Sequence, residues 1–257
     1  MDGTYPFDEW ADIYDDVYSY RTDDVEFYLQ RALEIGGPIL ELGGGTGRVS
    51  LAIAQAQIQV VGVDISPLMV ELAEQKADQL GIADFSEFFH GDMRSVQLNR
   101  KFPLVIMPFR SFQSMLTPED QRIALLNARS HVAVGGSLIF DTFYPDLELL
   151  TDDEGTPFHV RDIPLNEDNK TLVVWGQNKW NHLQQLNECR LIIEIVDSQG
   201  LVLSKLFRDF VVRYTFRLEM EYLLELCGFD VESVFGDFQG ADISEDGEDI
   251  IWIASRN

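Results

Sequence analysis

The sequence predicts an α/β fold in which a mostly parallel, doubly wound sheet is flanked by helices and joined late by an antiparallel sheet. Three observations carry this. From residue 38 to residue 140, short apolar runs alternate with segments of helical periodicity, the order expected of βαβ units. From residue 158 to residue 213 the runs become longer and strand-like, parted by turn residues. At 216–227, 231–235 and 250–254 a helix and two strands close the chain.

The first 35 residues read as helical. Trp10, Tyr14 and Tyr18 stand four apart among many acids and would share one helix face. Thr22, followed by Asp23 and Asp24, reads as an N-cap with acids in the first turn. It opens a helix that runs to Ile35 and stops at Gly36-Gly37.

Residues 38–42 form a short buried strand, and Gly43, Gly44, Gly45 and Gly47 make the turn after it. Residues 48–55 continue as a helix, and 58–63 form a second buried strand that ends on Asp64. Strand, glycine turn, helix, strand and acid is the layout of a nucleoside-binding βαβ unit. Glycine lets the backbone approach a ligand and reach positive φ angles. A carboxylate at the end of the second strand can accept hydrogen bonds from both hydroxyls of a ribose. A dinucleotide fingerprint, Gly-x-Gly-x-x-Gly, would need its third glycine at position 48, where Arg48 stands. This spacing speaks against a nicotinamide-type oxidoreductase.

Ser66 and Pro67 cap the next helix, which runs to Leu80 and ends at Gly81. A strand at 84–89 leads into Gly91-Asp92-Met93-Arg94, and a fourth at 102–107 emerges at Pro108-Phe109-Arg110-Ser111. Thr117-Pro118-Glu119-Asp120 caps a helix to His131, a turn is expected at 134–137, and a fifth strand begins at 138–140. Its exit, 141–146, and the exit of the fourth strand flank the crevice where open α/β sheets hold ligands. Strands follow at 158–163, 171–180, 186–196 and 201–213, with turn signals at 166–169 and 197–200. The expected organisation is therefore 1–146 as N-terminal segment and core, 147–213 as an inserted antiparallel subdomain, and 214–257 as the completion of the core.

Composition bounds the partners. No apolar stretch approaches the ~20 residues that span a bilayer, and residues 1–6 do not begin a signal peptide. The expectation is a cytoplasmic protein with no membrane partner. Cys189 and Cys227 are too few for a disulfide frame or a metal cluster, so no metal is expected. A net charge of −25, with 19 basic residues facing 44 acidic ones, argues against a nucleic-acid partner. Such a field would steer a cationic or amine substrate favourably, although its plainer effect is to keep the chain dissolved.

The run Glu41-x-Gly43-x-Gly45-x-Gly47 resembles motif I of the class I S-adenosylmethionine-dependent methyltransferases, and residues 36–145 resemble their core. The resemblance implies a Rossmann-like, seven-stranded doubly wound sheet, with an N-terminal helical lid over the cofactor S-adenosyl-L-methionine. It implies that Glu41, Gly43, Gly44 and Gly45 form the loop under the cofactor, and that Asp64 and Ile65 follow it. Asp92 would take the adenine amine and the Met93 amide a ring nitrogen. Tyr14 and Arg21 of the lid would reach the cofactor, Arg21 through the methionine carboxylate. Arg48 and Met107 flank these motifs and are counted with them. The aromatic N-terminal run and the inserted sheet are similar to small-molecule N-methyltransferases, of the amino-sugar or glycine/sarcosine type. That implies a small-molecule acceptor, on nitrogen more than on oxygen, and leaves room for a homodimer. Tyr14, Arg110, Gln113, Asp141 and Tyr144 are the candidate acceptor-binding groups, with His159 and His182 if the inserted sheet folds over the site. No residue stands out as a catalytic base. A protein that binds the cofactor or its demethylated product without catalysis is the alternative from another class.

Overall fold

The structure, a computed structural model, describes residues 5, 7–145, 150–151, 155–165, 169–244 and 247–257. After a 3-10 turn at Asp8–Trp10 come α1 (Tyr14–Tyr18), α2 (Asp23–Ile35), β1 (Ile39–Leu42), α3 (Arg48–Gln55), β2 (Val60–Asp64) and α4 (Pro67–Leu80). Then follow β3 (Ser86–His90), β4 (Phe102–Met107), α5 (Pro118–His131) and β5 (Val132–Phe143). The inserted strands are β6 (Phe158–Pro164), β7 (Thr171–Asn181), β8 (Leu186–Val196) and β9 (Val202–Arg213). The chain closes with α6 (Arg217–Leu226), β10 (Asp230–Phe235) and β11 (Asp249–Ser255).

Seven strands form one sheet in the order β10-β11-β5-β4-β1-β2-β3, and the inserted four form an antiparallel sheet in the order β6-β7-β8-β9. In the larger sheet β11 alone reverses against β5 and β10, while β1 runs parallel to both β2 and β4. The chain thus winds outward from β1 in one direction and returns on its other side through β4. This makes the β1–β4 junction the switch point beyond which ligands bind.

Strand periodicity builds two cores. Ile39, Val60, Leu104, Ile106 and Ile139 face α2 and α3, burying Phe27, Tyr28, Ile53 and Ala54. Their neighbours Leu40, Val61, Val105, Leu138 and Phe140 face α5 and α6, burying Leu125, Ala128, Met220 and Leu224.

Several elements differ locally from the sequence reading. β2 starts later than residue 58 because Gln57 turns at φ +61°. The expected turn at 134–137 is a bulge within β5: Phe102 pairs with Val132 but Leu104 pairs with Ser137, and Gly135 takes φ +74°. Thr22 makes no side-chain cap bond, whereas Ser66 and Thr117 accept from Met69 N and Asp120 N at 3.2 and 3.0 Å. Trp10, Tyr14 and Tyr18 lie on a broken helix yet still cluster, with the rings of Trp10 and Tyr18 stacked at 6.0 Å. The boundary expected at 146–147 lies outside the described residues, as does most of the turn expected at 166–169.

The inserted sheet presents one continuous inward face. Leu172, Val174 and Ile193 bury Trp10, Ile13 and Val17 of the N-terminal segment. On the same alternating positions further along, Asn178 and Trp180 of β7, Asn187 and Cys189 of β8, and Phe210 and Val212 of β9 line a cavity instead. Outward positions carry ion pairs such as Lys179–Glu188, Arg190–Asp209 and Lys205–Glu194.

Gly62, inside β2 between β1 and β3, has no room for a side chain: a Cβ there would lie 2.6 Å from Phe88 Cδ1. Gly62→Ala is expected to lower unfolding free energy by about 1–3 kcal/mol through overpacking. Urea denaturation of the two proteins checks this, and equal midpoints would refute it.

Candidate active site

The cavity opens at the switch point and encloses about 1210 Å³. One side is built by the ends of β1, β2 and β3 and the other by the inserted sheet. Gly43 adopts φ +81°, and a Cβ on it would lie 2.5 Å from Ser111 Cβ, so only glycine lets the β1 turn and the β4 exit loop meet. Gly45, at φ +53°, lines the cavity and has open space where a Cβ would stand. Gly45 N–H donates to Asp64 Oδ2 and Ser66 N–H to Asp64 Oδ1, both at 2.8 Å. Burial raises the Asp64 pKa above the ordinary carboxylate value, although these two bonds oppose it. Each oxygen keeps acceptor capacity, as a pair of hydroxyls would require.

Ile65, Asp92 and Met93 line the same side. Asp92 receives Arg94 N–H at 2.8 Å and Arg94 Nη2 at 2.6 Å, and Arg94 also reaches Asp120 at 2.6 Å. Burial alone would raise the Asp92 pKa, but the hydrogen bonds from Arg94 hold it below the ordinary value.

The N-terminal segment covers this crevice. Ser66 Oγ donates to Asp8 at 2.5 Å and Thr46 Oγ1 to Asp15 at 2.6 Å. Tyr14 and Tyr18 pack edge-on against Phe109 of the β4 loop, and burial raises both phenol pKa values. Arg21 lines the cavity and donates to Asp249 Oδ2 at 2.5 Å, while Arg110 donates to Asp249 Oδ1 at 2.5 Å. One carboxylate of β11 thereby joins the N-terminal segment to the β4 loop.

Tyr14, Arg110, Gln113 and Tyr144 line the cavity. Gln113 is 1% exposed and already engaged at both amide ends: Nε2 donates to Arg213 O at 3.2 Å and Oε1 accepts Phe143 N–H at 3.0 Å. Five expected site residues do not reach the cavity. Alternation along β1 turns Glu41 beneath α3, where its carboxylate accepts the Ser50 hydroxyl. Gly44 N–H is spent on Val63 O at 3.0 Å. Arg48 turns to Asp24 of α2, with Nη1 at 2.7 Å. Met107 is fully buried beside Phe112. Asp141 accepts Phe109 N–H and Arg110 N–H at 2.8 Å each, and Tyr28 O–H at 2.7 Å. Burial lifts the Asp141 pKa to about 6. His159 pairs with Asp162 at 2.8 Å and His182 with Tyr214 at 3.1 Å, and neither lines the cavity. The sequence reading missed Asn187, Cys189 and Phe210, while Asn178 and Trp180 fall in the 175–182 stretch, which by sequence alone reads either as pocket wall or as sheet packing. Their period-two spacing marks a shared face, but only the placement of the inserted sheet shows what that face meets.

Burial pushes the Glu41 pKa from 4.5 to about 8, against the opposing Ser50 bond and Arg48 charge. The folded-state value is raised, so protonated Glu41 favours the fold below the unfolded pKa, and this stabilisation is lost as pH rises through about 8. At ~1.4 kcal/mol per pKa unit, the loss has an upper bound of about 5 kcal/mol. Glu41→Gln is expected to flatten the fall in stability between pH 5 and pH 8.5. Urea midpoints that fall equally in both proteins would refute this.

Comparison with known proteins agrees with this geometry. A family profile described as a methyltransferase domain matches residues 39–136. The Bacillus subtilis relative YqeM, named as a methyltransferase, is 22% identical over 96% of this chain and 96% of its own. An uncharacterized methyltransferase of Anoxybacillus flavithermus is 31% identical over 55% of this chain and 68% of its own. The solved structure of CalS10 from Micromonospora echinaspora, an amino pentose methyltransferase with S-adenosylmethionine bound, superposes with a TM-score of 0.67. It is 20% identical and covers 99% of this chain and 93% of its own. This chain belongs to the S-adenosylmethionine-dependent methyltransferases, and S-adenosyl-L-methionine is its cofactor.

Proposed function

We propose that the chain methylates the nitrogen of a small-molecule acceptor. The observation that carries this is a single cavity lined on one side by Gly43, Gly45, Asp64, Asp92 and Met93, and on the other by Phe143, Trp180, Asn187 and Phe210. The cofactor supplies a methyl group on a sulfonium, already electrophilic. The residues present fit it. The open space at Gly45 admits a ligand against the turn, the Asp64 carboxylate holds ribose hydroxyls, and Asp92 with Met93 takes the adenine. Tyr14 and Arg21 close the N-terminal segment over the methionine end.

The protein's part in transfer is alignment, which for well-oriented partners is worth ~7–11 kcal/mol. Nitrogen is favoured over oxygen by the state of the titratable groups that line the cavity among the described residues. Among the described residues, no histidine lines the cavity. The Cys189 thiol is pushed up to about 12 by burial, and burial raises Tyr18 well above its ordinary value. Glu248 is exposed at the cavity wall. A hydroxyl must shed its proton before or during attack. A neutral amine presents its lone pair without help. A chamber walled by the inserted sheet and the N-terminal segment suits a compact molecule, and the net charge of −25 disfavours a polyanion. CalS10, the amino pentose methyltransferase of the same fold, supports a small amine-bearing acceptor.

S-adenosylhomocysteine is expected to raise the melting temperature, whereas NAD is not. Asp64→Ala is expected to weaken S-adenosylhomocysteine binding roughly 10- to 100-fold, the worth of one hydrogen bond to a charged group. Calorimetric titration of both proteins is the check, and an unchanged affinity would sink the assignment of Asp64.

A further inference from the structure

Side chains of α5 hold the loop after β3 at three places, and one of them lies on the cavity wall. His131 Nε2 accepts Leu98 N–H at 3.3 Å, and Asn127 Nδ2 donates to Met93 O at 2.9 Å and Val96 O at 3.2 Å. In the first turn of the helix, Asp120 Oδ1 accepts Arg94 Nη1 at 2.6 Å. Asp120 is itself fixed, because Thr117 Oγ1 donates to its Oδ2 at 2.8 Å. Arg94 turns its remaining donors on Asp92. Its backbone N–H reaches Oδ1 at 2.8 Å, Nη2 reaches Oδ2 at 2.6 Å, and Nε spans both oxygens at 3.0 and 3.1 Å. Asp92, Arg94 and Asp120 all line the cavity, and the Asp92 side chain is 24% exposed. A chain of three side chains thus runs from the cap of α5 to the cavity wall. A lone ion pair at such exposure holds its geometry poorly. A guanidinium gripped by two acids, and forked on one of them, holds it well.

We propose that Arg94 is a positioning residue for the base of the cofactor: it aims the Asp92 carboxylate at the exocyclic amine of adenine, and so makes the site select a 6-amino purine over a 6-oxo one. The inference rests on the reading above, in which Asp64 holds the ribose. Gly91 N–H donates to Asp64 O at 2.8 Å, so the loop after β3 abuts the end of β2 and Asp92 stands on the base side of that ribose. A carboxylate offers about four lone-pair sites. The Arg94 fork and backbone N–H take about three of them, which leaves one on Oδ2. Because Arg94 holds the Asp92 pKa below the ordinary value, the group stays ionised and can only accept. An amine N–H meets the remaining lone pair. A carbonyl oxygen in the same place sets a lone pair against an ionised acid and leaves both without a donor.

The test titrates the full chain with S-adenosylhomocysteine and with S-inosylhomocysteine, in which oxygen replaces the 6-amino group. The wild type is expected to bind the adenine form roughly 30-fold tighter, the worth of a hydrogen bond to a charged group. Arg94→Gln is expected to shrink this preference about tenfold, chiefly by weakening S-adenosylhomocysteine. Arg94→Lys, which keeps the charge without the fork, is expected to retain part of it. Asp92→Ala is expected to abolish the preference, and adding Arg94→Gln to Asp92→Ala is expected to leave the ratio within about twofold. A merely structural role for Arg94 would weaken both ligands alike in either background. The inference is overturned if the wild type binds both ligands equally, or if Asp92→Ala keeps the preference. It is overturned equally if Arg94→Gln keeps the preference, tightens S-adenosylhomocysteine, or still shifts the ratio once Asp92 is gone. Each of those results, with S-adenosylhomocysteine bound by the wild type, leaves the cofactor assignment standing. Failure of the wild type to bind S-adenosylhomocysteine would instead strike the placement of the cofactor in this cavity.

Discussion

The carboxylate of Asp141 holds the loop on which the site is assembled. Phe109 and Arg110 both sit in the left-handed region, at φ +54° and +60°, where residues with side chains are strained. Both donate their N–H groups to Asp141, which Tyr28 of α2 secures from the other side. Because the loop is held in this bend, its residues reach six other parts of the chain. Phe109 meets Tyr14, Tyr18 and Arg48, and Arg110 meets Asp249. Ser111 closes on Gly43, and Gln113 bridges β9 to the end of β5. The three hydrogen bonds this buried acid takes offset part of its desolvation, which still holds its pKa up, and they fix the strained bend of the loop.

The N-terminal segment is held by contacts to both halves of the molecule. Asp8 and Asp15 accept from Ser66 and Thr46, next to the turns that flank the cofactor crevice. Trp10, Ile13 and Val17 are buried against the inserted sheet, and Arg161 of β6 lies 3.9 Å from the ring of Tyr20. The aromatic run thus works as a filler between two sheets that otherwise touch little. Its acids are directed to partners, so the high negative charge of this stretch is partly local structure.

The inserted sheet divides one face between two tasks. Near Leu172 and Ile193 its inward positions are apolar and bury the N-terminal segment, while near Asn178 and Asn187 they turn amide-bearing and aromatic and line the cavity. This change in chemistry along a single strand face separates a packing surface from a binding surface. The inserted-sheet side of the cavity is rich in rings, and on the function proposed above it would contribute orientation and exclusion of water to transfer.

The order of strands and helices, the glycine turn and the acid ending β2 were all legible in the sequence, because each is a local matter of periodicity, φ angles and caps. Asp64 and the glycines could be placed at the crevice from chain order alone, since parallel sheets put ligands beyond the same strand ends. The sequence could not tell Glu41, Arg48 and Asp141 from true pocket groups. A motif position shows which residue type stands there, whereas the face it turns to depends on strand alternation and on neighbours such as Ser50, Asp24 and Tyr28. Asn187 looked like an ordinary strand residue for the same reason, and the stretch around Trp180 could be read as pocket wall or as sheet packing. Hairpin register decides which residues share a face, but only long-range docking of the inserted sheet on the N-terminal segment and the β4 loop turned that face toward the site.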